Sequence, residues 1–156
     1  MVGDRYTYMD YTLKNPEKGL LNGEDLHFFY YDVLNKNEDS LNSLFEWNND
    51  IVSYLDKHGV RIEVCEIEQM PHEYPNDKLL FSMYNNKETK PQAFLRHLRN
   101  AFVHINIQRD DEYYLLKDRN GKGLTTMIGR VKCTCLKEVC FLLFKQEERE
   151  LDNFFE

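Results

Sequence analysis

The chain has 156 residues, of which 42% are hydrophobic and 13% aromatic, enough for one domain with a packed core and too short for two. Its net charge of -7 argues against general adsorption to nucleic acid or to an anionic membrane, so any nucleic-acid contact has to be local. No apolar run approaches the ~18 residues of a membrane span, and no hydrophobic leader opens the chain, which predicts a soluble, cytoplasmic protein that does not engage membranes.

In chain order, Tyr6, Tyr8 and Asp10 alternate with Thr7, Met9 and Tyr11, the pattern of a short strand or extended arm. From Glu24 to Asn35, Leu26, Phe29, Tyr30, Val33 and Leu34 fall at helical spacing. A second helix is predicted on Leu41, Leu44, Phe45, Ile51, Val52 and Leu55, started by Asp39 and Ser40 and stopped by Gly59. Val60, Ile62 and Val64 alternate as a short strand, Pro71 to Asp77 reads as a loop, and Leu79 to Tyr84 as a short helical piece. After a helix from Pro91 to Ile107, the runs 112–117 and 124–131 flank Asn120-Gly121, the strongest hairpin signal in the chain. A last helix is expected from Thr134 to Phe155 on Leu136, Val139, Cys140, Leu143 and Phe144. The sum predicts a mainly α fold: four or five helices in a bundle, with a small hairpin over 112–131.

Four cysteines, Cys65, Cys133, Cys135 and Cys140, lack the look of a disulfide framework. Cys133-x-Cys135-x4-Cys140 is also a poor zinc pattern, which wants pairs two to four residues apart with a second pair or histidines. They read as packed free thiols, with no metal and no cofactor. His27, His58 and His72 sit in separate segments without metal or triad spacing.

The segment from Phe94 to His104 carries the chemistry. With His104 as the zero direction on a helix, Phe94, Leu95, Leu98, Ala101 and Phe102 fall in an apolar arc of roughly 60° to 180°. His97 and Asn100 lie close to His104, Arg96 to one side, and Arg99 about 140° away on the far flank. Thr89 and Pro91 suit the start of this helix. Lys87, Lys90, Arg96 and Arg99 stand against Glu88 here, while Glu147, Glu148, Glu150, Asp152 and Glu156 gather at the end of the chain. A local phosphate-binding face on an acidic body is therefore expected, its polar strip facing solvent or a partner.

An Arg, an Asn and a His beside one phosphate can cleave RNA. The 2′-hydroxyl supplies the nucleophile, His moves protons near neutral pH, and Arg neutralises the phosphorus as it gains charge. A two-fold copy would bring a second His104, which makes a homodimer interface the natural place for the site.

Leu98-Arg99-Asn100-Ala101-Phe102-Val103-His104 resembles the signature of the HEPN superfamily (higher eukaryotes and prokaryotes nucleotide-binding domain). Its ribonuclease members carry Arg, a polar residue and then His after a four- to six-residue gap. The Phe94-Leu95-Arg96-His97 lead-in and the downstream hairpin and helix are similar to small stand-alone bacterial members. The resemblance implies a single HEPN-like helical domain over 1–156, homodimerisation and metal-independent endoribonuclease activity on single-stranded or loop RNA. It implies Arg99 as the phosphate-stabilising residue, His104 as the acid-base group and Asn100 as their polar support. It also implies a toxin or defence setting with an antitoxin or regulatory partner, or alternatively an inactive dimeric module that binds RNA, a nucleotide or a protein. Arg96, His97 and Arg109 are further candidates to contact RNA phosphates, with surface or partner-packing roles as the plainer reading. Tyr113 and Tyr114 could stack on bases, although strand alternation puts one inside and one out.

Overall fold

Alternation along two strands organises the molecule. On one strand Tyr114, Leu116 and Asp118 are buried between half-exposed Tyr113, Leu115 and Lys117; on its neighbour Met127, Gly129 and Val131 take the same inward side. A surface with one apolar face has to be covered, and here helices cover it. The structure, a computed structural model, describes residues 19–35, 46–84 and 87–155, with side chains through residue 145.

Helix α1 (Gly23–His27) is started by Asn22 in a reciprocal capping box with Asp25 and runs on as a π-helix, Phe28–Leu34. Helix α2 (Asn49–His58) is capped by Asn48 and closed by Gly59 at φ 66°, a left-handed turn that suits glycine. Strands β1 (Arg61–Val64) and β2 (Lys78–Phe81) follow, separated by a loop with a 3-10 turn at Ile67–Gln69. Helix α3 (Lys90–Val103) precedes β3 (Ile107–Asp110), β4 (Tyr113–Arg119) and β5 (Thr125–Lys132), and α4 (Cys133–Phe155) ends the described chain. The sheet order is β1-β2-β5-β4-β3, parallel only between β1 and β2.

This architecture overturns the expected mainly α, four- to five-helix HEPN-like bundle. The described residues form a five-stranded mixed sheet with helices packed on one face, an α/β fold. The predicted hairpin is present as β4 and β5, but at the centre of the sheet, where β2 and β3 extend it on either side. Leu79 to Phe81, read as helical, is β2; its four residues place Leu79 and Phe81 in the main core and Leu80 in a small cluster with Met70 and Ile128 on the opposite face. The α3 helix stops at Val103, not Ile107, because Ile105 turns left-handed at φ 65° and Asn106 donates back to Ala101 O at 2.8 Å. Ile107 is thereby free to enter β3. The second predicted helix begins at Asn49; its first half, with Leu41, Leu44 and Phe45, lies outside the described residues, as does the Tyr6–Tyr11 arm.

The core gathers Phe29, Phe81, Phe94, Leu98, Phe102 and Tyr114 between sheet and helices. Cys133, Cys135 and Cys140 are buried in it as free thiols. Close approach of β2 to β5 rests on Gly129, where a Cβ would lie 2.5 Å from Lys78 O and 2.8 Å from Leu79 Cα. These are backbone atoms and cannot swing aside, so Gly129→Ala should cost about 2 kcal/mol and lower the melting temperature by roughly 4–8 °C. A thermal melt followed by circular dichroism checks this; an unchanged midpoint would mean that the two strands part easily.

Candidate functional site

Helix α3 is held at both ends by local chemistry. Thr89 accepts from Gln92 N at 3.3 Å while the Gln92 side chain accepts from Thr89 N at 2.9 Å, and Pro91 stands in the first turn, as its sequence predicted. At the other end His104 is the C-cap, its N–H donating to Asn100 O at 3.0 Å. Between these ends the inward face packs Phe94, Leu95, Leu98, Ala101 and Phe102.

Histidine 97 departs from the expected solvent-facing strip. It is 1% exposed, with Nδ1 2.7 Å from Asp118 Oδ2 and Nε2 2.6 Å from Ser82 O. Both ring nitrogens thus face oxygen atoms, and Arg96 Nη2 also lies 3.3 Å from Nε2. The imidazole therefore ties α3 to β4 and to the end of β2. Val103 is also buried.

Arg96 forms a two-pronged pair with Glu88, at 2.9 Å from Nε and 2.8 Å from a terminal nitrogen, and its guanidinium lies 5.6 Å from the Tyr84 ring centre. Arg99 and Asn100 are half-buried and His104 is exposed. The His104 imidazole has no hydrogen-bond partner among the described residues.

A cleft of roughly 340 Å³ opens beside this helix, walled by Arg96, His97 and Asn100 from α3, Asp118 and Arg119 from β4, and Ser82 and Tyr84 after β2. It brings together three of the six predicted site residues. Arg99 and His104 do not line it. Arg109 is elsewhere, its guanidinium 2.8 Å from each oxygen of Asp25.

Asp118 and Arg119 were missed by sequence reasoning. The signal was available for Asp118: in the alternation Tyr114, Leu116, Asp118, a carboxylate occupies an inward strand position, which demands a buried partner. Among the described residues no helix is long and apolar enough to cross a membrane, and no three His, Cys, Asp or Glu side chains converge as metal ligands would. No family model, curated protein or solved structure matches the chain.

Proposed function

We propose that the chain is a cytoplasmic endoribonuclease that needs no metal and works as a homodimer, with Arg99, Asn100 and His104 of each copy turned to one RNA strand. The observation that carries this reading is the division of labour between the two histidines of α3. His97 spends both nitrogens on Asp118 and Ser82, while His104 stands exposed at the helix end with its imidazole unengaged among the described residues. A proton carrier has to be reachable, and only the second meets that need. Ile105, a β-branched residue at φ 65°, follows directly; backbone held in this costly region concentrates at functional sites.

In this mechanism one His104 removes the 2′ proton as the 2′ oxygen bonds to phosphorus. Arg99 stabilises the charge gathering on the phosphoryl oxygens. The bond to the 5′ oxygen then breaks, and the leaving oxygen takes a proton from the His104 of the second copy. The products are a 2′,3′-cyclic phosphate and a 5′-hydroxyl. The resemblance to HEPN ribonucleases supports the reading through the seven residues Leu98 to Val103 and His104, without the all-helical bundle that it also implied. An antitoxin or regulatory protein is the expected partner.

His104→Ala should lower the cleavage rate of a single-stranded RNA in EDTA about a hundredfold or more, without lowering stability, because the side chain is exposed. Full activity in that variant, or loss of activity on chelation, would overturn the mechanism. A second reading, an RNA-binding module without cleavage, is favoured by one fact: within one copy Arg99 does not share the cleft that Asn100 lines. Stable RNA binding by a dimer that leaves the strand intact would decide for it.

A further inference from the structure

Lys117 and Arg119 lie two residues apart on β4, with a register irregularity between Asp118 and Arg119. The Lys117 ammonium is 5.0 Å from the Tyr74 ring centre and partly buried. Burial and the nearby Arg119 charge both push its ionisation downward. Arg119 also acts on the Tyr74 phenol, opposing the upward push of burial, which places the two cations and the ring in one neighbourhood. Among the described residues neither cation has a carboxylate within salt-bridge reach. The other charges beside the cleft are already matched: Arg96 with Glu88, and His97 with Asp118.

Two adjacent, unneutralised cations on an acidic protein repel each other, and a bound anion relieves that repulsion. Arg119 also lines the roughly 340 Å³ cleft, a volume within the range of small-ligand sites. Its other walls are suited to a nucleotide. Asn100 offers an amide that both donates and accepts, and Tyr84, 64% exposed, presents a ring for stacking.

We propose that this cleft binds a nucleoside phosphate, with Arg119 holding the phosphate, Lys117 adding its charge from outside the cleft, and Tyr84 stacking on the base. The ligand is either a free nucleotide or one residue of an RNA strand. The inference rests on the ribonuclease reading for the strand as occupant, and Asn100 joins the cleft to that motif.

Binding is measured with a short fluorescent 2′-O-methyl RNA, which lacks the attacking hydroxyl, and separately with AMP, using the full chain at several salt concentrations. Arg119→Gln should weaken binding roughly tenfold and lower the salt slope for the strand by about one, and Lys117→Gln, which removes only a neighbouring charge, should weaken binding less. Arg119→Lys should recover part of the loss, and Lys132→Gln, which removes an equal charge at the exposed end of β5, should change little. Arg119-dependent binding of AMP identifies a free nucleotide as occupant; binding of the strand alone identifies RNA, and either supports the site. Absence of binding by both probes, or equal affinity in wild type, Arg119→Gln and Lys117→Gln, overturns it. Arg119-dependent binding beside an absence of cleavage of ordinary RNA would keep the site and discard the ribonuclease. Cleavage with binding indifferent to Arg119 and Lys117 would do the reverse.

Discussion

Asp118→Ala is expected to destabilise the protein by about 1–3 kcal/mol, the usual cost of leaving a buried hydrogen-bonding group without its partner. The carboxylate is 2% exposed and His97 is 1% exposed, and the substitution removes the 2.7 Å contact between them. The remaining imidazole keeps Ser82 O at Nε2 but loses its partner at Nδ1, and a buried donor without an acceptor carries its full desolvation penalty. His97→Leu should be costly for the mirror-image reason, an uncompensated carboxylate among Phe81 and its neighbours. The double variant removes both partners and should lose less than the sum, by about 1–3 kcal/mol. Urea unfolding of the four proteins closes this cycle. Strict additivity, or a loss under about 1 kcal/mol in Asp118→Ala, would show that the two groups do not act as a pair.

The same contact explains which parts of the molecule could be read from the chain. Gly59 and Asn120-Gly121 announce a helix stop and a hairpin through backbone preferences that need no tertiary context, and both are present. The strand at Val60 to Val64 showed in its alternation, and Thr89 with Pro91 marked the start of α3. Leu79 to Phe81 carried no such signal: a run of apolar residues this short fits a helix and a strand equally. Once it is read as a helix, the sheet loses β2, and a mixed sheet shrinks to an isolated hairpin. The end of α3 was illegible for a different reason. No glycine or proline follows Val103, and an isoleucine adopts the left-handed turn instead. The polar strip was a set of directions on a helix, and direction does not determine burial. His97 faces β4, whose Asp118 lies 21 residues further along the chain, and no local spacing encodes that meeting.

The largest acid effect should come from Asp25, which helical periodicity passed over. Its carboxylate is 0% exposed and accepts from Arg109 at 2.8 Å on both oxygens, from the Tyr114 hydroxyl, and from Asn22 N at 3.0 Å. Lys137 Nζ stands 3.6 Å away. Burial by itself would raise the carboxyl's pKa, but the hydrogen bonds from Tyr114, Arg109 and Asn22 outweigh it and hold the group below its ordinary value of 3.8. The Tyr114 phenol moves the opposite way, raised by burial and by the carboxylate it donates to. Arg109 is thus committed to joining β3 to α1, not to an RNA phosphate. Asp25→Ala should cost about 3–5 kcal/mol, because it strands the buried Tyr114 hydroxyl and breaks the ties to Arg109 and Asn22. The sign with pH follows from the depressed value. Asp25 stabilises the fold fully above its unfolded pKa, and that contribution disappears as pH falls through the folded one. Asp25→Asn carries no titrating proton, so the stability gap between wild type and this variant should be wide at about pH 6 and shrink towards about pH 2. Urea unfolding of both proteins across that range measures the gap directly. A gap that stays constant with pH would mean that Asp25 is not ionised in the folded protein, and the cluster would then be held by neutral hydrogen bonds alone.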